Sequence, residues 1–283
     1  MAWEAQDVVD VVLMALGEGG CGTRTPILAC QDALRTAGAN TSIVTASTDA
    51  DIDQVIAALG DARLIVATAA DGQLRAVVRR FVRALAPAPS KRPSSLRPDR
   101  TVPDLPPLGV LPLDPAADVT PAQVASLVLA GAARRRDLLR TDGGSVTLEG
   151  ALLGGVDDQG HAAGFRARVE VDDAVLSDGM EPILVAAVGN TDRYAVFDGL
   201  PLLTRVDDAD GVIDVAIALP HTKRRLLGGV RAEIEVRRAR GRAVAITPRE
   251  EIPYVDDGIE AKLTHKRTWW MEAGAWAVYE PAP

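Results

Sequence analysis

The hydrophobic pattern changes near Arg140, and this change constrains the fold more than any other feature of the sequence. Up to that point, continuous apolar runs such as "VVDVVLMAL" and "ARLIVAT" alternate with helical segments. Runs of this kind are typical of strands buried on both faces, so we expect β-α-β units on a mostly parallel sheet. Beyond it, short alternating runs such as "GFRARVEVDD" lie between Gly and Asp turns and predict an antiparallel β-sandwich.

The predicted organisation is an α/β domain followed by a β domain. We assign residues 1–140 to the α/β domain and residues 141–267 to the β-sandwich. A last strand, at 268–283, is expected to return to the first domain or to the domain junction. Within the first domain, residues 86–107 are rich in Pro and Ser, cannot continue a helix or a strand, and are predicted to form a flexible loop.

Capping residues predict where two of the helices begin. In "RTPILACQDALRTAG" we expect Thr25 to be the N-cap and Pro26 the first helical residue. In "VTPAQVASLVLAG" we expect Thr120 to cap the helix and Gly131 to end it. The basic run "AARRRDLLR" is interpreted as the solvated end of a helix rather than a patch for acidic head groups.

Composition narrows the range of partners. The formal net charge is -8, which argues against a nucleic-acid-binding surface, since such surfaces need clustered Lys and Arg. No apolar run is long enough to predict a transmembrane helix, and "MAWEAQDVVD" does not resemble a signal peptide, so we expect a cytoplasmic protein. Cys21 and Cys30 have no second pair with which to form a zinc site and are expected to be reduced and structural.

The stretch "LIVATAADGQLRAVVRRFV" runs from a buried strand directly into a helix. At such a turn, backbone N–H groups and the positive end of the helix dipole point to one place, which suits a phosphate. A phosphate-binding turn normally needs glycines, and most of them are absent from this one.

The order of several segments resembles the diacylglycerol and sphingoid lipid kinases, in particular the bacterial YegS-like group, which is distantly related to NAD kinases. These segments are "EPILVAAVGN", "DDADGVIDVAIAL" and "AEIEVRRARGRAVAIT", and they follow a strand-helix half that contains "LGVLPL". The resemblance covers nearly the whole chain. It implies a Rossmann-like domain of the NAD kinase and diacylglycerol kinase type, facing a β-sandwich. It also implies transfer of a phosphoryl group from ATP, with Mg²⁺, to a lipid hydroxyl.

The first family motif, Gly-Gly-Asp-Gly-Thr, corresponds here to Ala69, Ala70, Asp71, Gly72 and Gln73. The resemblance implies that Asp71 acts on metal-bound phosphate and that Gly72 helps to bind the nucleotide. An Asp-Gly pair is also an ordinary turn, and both interpretations remain open.

The second nucleotide element, Gly-Thr-Gly-Asn-Asp in the family, is replaced by Asp114, Pro115 and Ala116 after "LGVLPL". Proline supplies no N–H donor, so this element is expected to be lost. Thr45 matches a family threonine at the nucleotide, although a threonine at a strand end needs no such role.

The third element is Asp-Gly-Glu, whose glutamate is the general base in the family. Here Ile259 follows Asp257 and Gly258, and Glu260 stands one position late. A shift of one residue in a strand turns the side chain to the opposite face. Glu260 could therefore replace the missing base only if a β-bulge follows Gly258.

The resemblance also implies a structural divalent cation in "VDDADGVID". The side chain of Asp210 and the carbonyl groups of Asp207 and Val212 would be its ligands, and such oxygens suit Mg²⁺ or Ca²⁺. An acidic hairpin turn without a metal explains the same residues.

Two classes of function follow from these motifs. One is an active ATP-dependent lipid kinase with altered loops, because phosphoryl transfer depends mainly on positioning and charge stabilisation. The other is a pseudokinase that serves as a lipid- or nucleotide-binding regulatory module at a membrane surface. The three altered motifs favour weak or lost activity, and NAD kinase is a third, less supported alternative.

Overall fold

The structure is a computed structural model that describes residues 8–17, 21–70, 72–156, 162–224 and 230–281. The chain forms two compact units. The first unit comprises Met1–Leu96, Thr101–Arg136 and Ala275–Pro283. The second unit comprises Arg97–Arg100 and Asp137–Gly274.

The first unit is a parallel sheet with helices in the connections. Its strands are β1 (Asp10–Leu16), β2 (Asn40–Ala46), β3 (Arg63–Thr68) and β4 (Pro107–Pro112). Its helices are α1 (Cys21–Thr36), α2 (Asp49–Ala58), α3 (Gln73–Leu85) and α4 (Pro121–Ala130), with a 3₁₀ turn at Pro89–Lys91. The strand order is β2-β1-β3-β4, which is the Rossmann-like arrangement that alternating strand and helix signals predict.

Close packing of α4 onto this sheet depends on Gly109 in β4. A Cβ atom at Gly109 would lie 2.7 Å from Cγ2 of Val128 and 2.9 Å from Cγ1 of Ile65. These distances are shorter than van der Waals contact, so a larger residue would push the helix away. Val128 and Ile65 belong to the buried core that α1 and α4 share with β1 and β3.

Helix α4 begins and ends as the capping residues predict. The Thr120 side chain accepts a hydrogen bond from the Gln123 N–H, and Gly131 ends the helix with a φ of 72°. For α1 the predicted start at Thr25 is wrong, because the helix already begins at Cys21 and contains Pro26. The buried contacts of this helix outweigh the backbone hydrogen bond that a proline costs.

The second unit is built from strands, most of them short and antiparallel. In chain order the strands are β5 (Ala133–Thr141), which begins in the first unit, β6 (Val146–Thr147), β7 (Gly150–Leu153), β8 (Gly155–Val156), β9 (Ala162–Ala163), β10 (Ala167–Val171), β11 (Ala174–Asp178), β12 (Val185–Gly189), β13 (Val196–Phe197), β14 (Leu200–Pro201), β15 (Ile213–Arg224), β16 (Val230–Gly241), β17 (Ala243–Pro248), β18 (Ile252–Asp256) and β19 (Ile259–Leu263). A 3₁₀ turn lies at Asp192–Tyr194.

The last strand, β20 (Arg267–Tyr279), belongs to both units. Its first part pairs antiparallel with β17, in a sheet of order β11-β10-β17-β20. Its last residues pair parallel with β4 in the first unit. A second sheet, of order β16-β15-β12-β7-β18-β19, shares one buried core with the first part of β20 and its neighbours. The predicted β-sandwich is therefore confirmed.

The basic run "AARRRDLLR" is part of strand β5, so its interpretation as a helix end is wrong. Gly131 ends α4 in a left-handed conformation, and the chain turns into the strand directly afterwards. Leu138 and Leu139 are fully buried, and burial of these leucines holds the segment in a sheet.

Two of the three C-terminal tryptophans are packing residues. Trp269 is fully buried in the sandwich core, and Trp276 is buried in the first unit. Trp270 is only partly buried, and its indole N–H donates to the Glu272 carboxylate. Among the described residues, no helix has both the length and the apolar character needed to cross a bilayer.

Candidate functional site

The turn from β3 to α3 keeps one feature of a phosphate-binding turn. Gly72 has a φ of 77°, a left-handed conformation that glycine adopts at little cost, and it precedes the first residue of α3. The turn follows the carboxyl end of β3, beside the point where the strand order reverses, which is where α/β sheets bind their ligands. Asp71 lies outside the described residues, so its predicted role stays a prediction.

Backbone N–H groups of this turn already donate hydrogen bonds to a side chain of the same turn. The Gln73 Oε1 atom accepts hydrogen bonds from the Ala69 N–H at 2.7 Å and from the Ala70 N–H at 3.3 Å. A phosphate at this turn would need free backbone N–H groups. Gln73 therefore occupies two of the donors that an anion would use.

In the loop after β4, the backbone N–H groups of Leu113 and Ala116 likewise donate to other groups of the protein. The Asp114 carboxylate accepts from the Ala116 N–H at 2.9 Å, and Pro115 between them has no N–H. The Leu113 N–H donates to the Thr68 carbonyl at 2.8 Å, which ties this loop to the end of β3. These residues do not offer the donor set that the phosphates of ATP require.

Thr45 lies at the same edge of the sheet as the β3–α3 turn. It pairs with Ala15 of β1, and Ala15 pairs with Ala67 of β3, so two strand spacings, about 10 Å, separate Thr45 from β3. Its side chain is exposed on β2, the strand at that end of the sheet. Nothing in this position tests its predicted contact with a nucleotide.

The hairpin of β18 and β19 places an isoleucine where the family has its base. Asp257 and Gly258 form its two-residue turn, with φ values of 50° and 77°. The strands pair in continuous register, with Asp256 opposite Ile259 and Val255 opposite Glu260. The pairing has no bulge after Gly258, and the exposed Glu260 side chain therefore lies on the face opposite that of Ile259.

Asp257 has a structural role that sequence analysis did not identify. Its carboxylate is buried and accepts hydrogen bonds from the N–H groups of three consecutive residues, Leu148, Glu149 and Gly150. Burial, and next the charge of Asp256, raise the pKa of this carboxyl from 3.8 to about 6. The Asp-Gly pair was the available signal, but only the fold shows what the carboxylate holds.

Other buried polar groups support the same hairpin. The Thr147 hydroxyl donates to Asp256 at 2.8 Å, and the Tyr194 hydroxyl accepts from the Gly258 N–H at 3.0 Å. The side-chain amide of Asn190 donates to the carbonyl oxygens of Asp137 and Leu148. The tip of the hairpin is thus held in one conformation although the residue at position 259 is apolar.

The predicted cation loop is a tight acidic turn. One Asp210 oxygen accepts from the Val212 N–H at 3.1 Å, the other pairs with the Arg240 guanidinium, and Asp207 accepts from the Ala209 N–H at 3.0 Å. Arg240 therefore supplies positive charge at the carboxylate that a cation would use. The described residues contain no group of three His, Cys, Asp or Glu side chains arranged around a metal position. The structure does not test the predicted carbonyl ligands.

The predicted cation loop and Glu260 are not brought together. The loop precedes β15, whereas Glu260 lies on β19, and three strands separate β15 from β19 in the sheet. At one strand spacing each, the distance is about 19 Å.

Comparisons with known proteins identify the fold. No protein-family model matches the sequence, and no curated protein matches it either. A crystal structure of a diacylglycerol kinase from Bacillus anthracis str. Sterne is 16% identical, covers 98% of each chain and has a TM-score of 0.65.

Two further structures from the same organism are provisionally assigned as diacylglycerol kinases. One is 14% identical over 99% of each chain, with a TM-score of 0.67. The other is 15% identical over 98% of each chain, also with a TM-score of 0.67. At these identities the likeness establishes the fold. The predicted resemblance, an α/β unit followed by a β-rich unit, is confirmed at that level.

Proposed function

We propose that this chain, which has the fold of diacylglycerol kinases, is a member of that family whose ATP-dependent phosphorylation of a lipid hydroxyl is weak or lost. The full-length likeness in fold supports the family. The observation that carries the loss is the pair of hydrogen bonds from Ala69 and Ala70 to Gln73.

The cost of displacing Gln73 follows from these two contacts. Each hydrogen bond contributes about 0.5–1.5 kcal/mol, so the two together disfavour phosphate binding by about 1–3 kcal/mol. This free energy corresponds to roughly a 5- to 150-fold loss of ATP affinity. ATP and Mg²⁺ remain the cofactors implied by the resemblance, but the loops before α3 and after β4 fit the phosphates poorly.

The second contribution to the loss is the missing base. General-base catalysis typically contributes about 10²–10⁴ in rate, and Ile259 has no group that can accept a proton. The Glu260 carboxylate lies on the other face of the strand. Because binding and proton transfer are separate contributions, we expect turnover to fall well below that of an ordinary kinase.

A non-catalytic binding module is the second candidate, and the hairpin of β18 and β19 favours it. The buried contacts of Asp257, Thr147 and Tyr194 keep the hairpin ordered without a base. An ordered hairpin without a base can contact a ligand but cannot accept a proton from it. In this candidate the protein is cytoplasmic and binds a lipid at a membrane surface without phosphorylating it.

Transfer of ³²P from MgATP to diacylglycerol in mixed micelles tests the proposal. We expect very weak or no transfer, together with a small thermal shift in millimolar MgATP. Turnover of roughly one per second, abolished by Asp71→Ala, would overturn the proposal.

The role of Gln73 is tested separately. Gln73→Thr replaces the amide oxygen that accepts from the Ala69 and Ala70 N–H groups with a shorter hydroxyl, and it should increase the MgATP thermal shift, with an affinity gain of about fivefold or more. Gln54→Thr, at an exposed glutamine of α2, is the matched control and should leave the shift unchanged. An unchanged shift in Gln73→Thr would assign the obstacle to Pro115 instead.

A further inference from the structure

The second unit contains a pocket that none of the predicted site residues lines. It lies beside the start of β15 and the end of β16, under the segment of residues 203–205. Its volume is about 280 Å³, and its charged lining side chains are those of Arg205, Asp214, Arg238 and Arg240. A charged pocket at the small end of the range for ligand sites suits a small polar molecule rather than an acyl chain.

The segment that forms one wall of the pocket is anchored by apolar side chains. Leu202 and Leu203 are buried and pack in a cluster with alanines of β15. The N–H groups of both leucines donate to the Ala195 carbonyl oxygen, at 2.8 and 3.1 Å. Arg205, which follows directly, is therefore presented by a segment that is already fixed on the sheet, and this reduces the ordering cost of binding a ligand.

Arg238 is oriented by main-chain acceptors and keeps donors for a ligand. Its Nε and Nη2 atoms donate to the carbonyl oxygens of Leu202 and Pro201, each at 2.6 Å. These acceptors are neutral, so they orient the guanidinium group without cancelling its charge. A guanidinium group has five N–H donors, and three of those of Arg238 remain for an anion.

Arg240 holds both carboxylates at this end of the sheet. Its Nε atom donates to Asp214, which lines the pocket, at 2.9 Å, and its Nη2 atom pairs with Asp210, which does not line it. Arg205 is exposed, and within the described part of the chain no carboxylate pairs with Arg205 or Arg238. The three arginines exceed the two carboxylates by one charge, which disfavours a cation and favours an anion.

We propose that this pocket binds the phosphate group of a small monoester. Arg205 and Arg238 supply charged donors whose planar geometry matches phosphate oxygens. The hydroxyl of Thr204, which also lines the pocket, is a further donor. The pocket shares no residue with the β3–α3 turn, so phosphate binding here does not depend on whether the protein phosphorylates a lipid.

Calorimetry with glycerol 3-phosphate tests the site. We expect one molecule to bind per chain, and glycerol, which lacks the charged group, not to bind. Arg205→Gln should weaken the binding of glycerol 3-phosphate by about three- to tenfold, because a charged donor is lost. Arg249→Gln, at an exposed arginine of the same unit that does not line the pocket, is the matched control and should leave binding unchanged.

Arg238→Lys tests the geometry of the donors separately from their charge. Lysine keeps the positive charge but lacks the planar group, so it cannot hold two carbonyl oxygens and a phosphate together. We expect binding to weaken by about threefold or more. Because the Arg205 side chain is exposed and makes no contact in the described part of the chain, Arg205→Gln decides the question if Arg238→Lys does not fold.

Two further probes identify the source of the phosphate group. Binding to phosphatidylcholine vesicles only when they contain phosphatidic acid, lost in Arg205→Gln, would assign it to a lipid head group, whereas binding of glycerol 3-phosphate assigns it to a soluble ester. Inorganic phosphate should bind more weakly than glycerol 3-phosphate, and equal affinity would overturn the monoester part of the proposal. The site itself is overturned if none of these probes binds, if Arg205→Gln binds as wild type does, or if Arg249→Gln weakens binding equally.

Discussion

The buried carboxyl of Asp257 should give this protein an unusual dependence of stability on pH. Its pKa is raised by burial to about 6 in the folded state, from 3.8. Between these values the folded state binds more protons than the unfolded state, so this group lowers stability as the pH rises. A pKa raised from 3.8 to about 6 corresponds to about 3 kcal/mol of folding stability, which is lost between pH 4 and pH 7.

Asp257→Asn removes this titration and keeps a residue that tolerates a positive φ. The amide oxygen can still accept from Glu149 and Gly150, but an NH₂ group then faces the Leu148 N–H. The variant should therefore be less stable at pH 4, where wild type carries a neutral carboxyl. Because only wild type loses stability through this carboxyl, its advantage in unfolding free energy over the variant should fall by about 3 kcal/mol from pH 4 to pH 7. The variant is then the more stable protein at pH 7 if its deficit at pH 4 is smaller than this.

Urea unfolding at pH 4, 5, 6 and 7 measures this difference directly. Asp198→Asn is the matched control, because Asp198 also has a positive φ, of 47°, before a glycine but is exposed. It measures the effect of an Asp→Asn change at an exposed turn position of the same backbone conformation. A difference for Asp257→Asn that is constant with pH, or that grows in favour of wild type as the pH rises, would refute the reasoning.

Three further predictions concern the first unit. Gly109→Ala should destabilise it by about 1–3 kcal/mol in urea unfolding, because the added methyl group overlaps Val128, and a loss below about 0.5 kcal/mol would contradict the packing. Thr120→Ala should cost about 0.5–2 kcal/mol through the lost cap of α4, whereas Thr120→Ser should cost less. Burial raises the pKa of the Cys30 thiol to about 11, so iodoacetamide should modify this residue only after unfolding, as followed by peptide mass spectrometry.

Elements whose signals are local could be predicted from the amino-acid sequence. The caps of α4 identified its ends, because a threonine side chain and a left-handed glycine satisfy backbone groups within a few residues. The buried runs identified β3 and β4, and the change to alternating runs identified the second unit as a sandwich. Together with the order of the segments, these signals were sufficient to predict the fold.

Elements that depend on contacts between distant parts of the chain could not be predicted from local sequence. The first helix begins four residues before its apparent cap, because packing of Ile27, Cys30 and Leu34 outweighs the cost of Pro26. The basic run after α4 is a strand because its leucines are buried in a sheet. The local propensity of a segment does not show whether its apolar residues will be buried, either in α1 or in β5.

For the polar side chains, too, the sequence identified the residues but not the contacts that they make. The sequence identified Gln73 and Ile259 as departures from family motifs, but not that Gln73 bonds the donors of its own turn. It identified an Asp-Gly turn at residues 257–258, but not that the carboxylate holds three N–H groups more than 100 positions away. Hydrogen bonds and pKa shifts of this kind arise only when folding brings distant groups together and removes water from them. They therefore cannot be predicted from the pattern of residues along the chain.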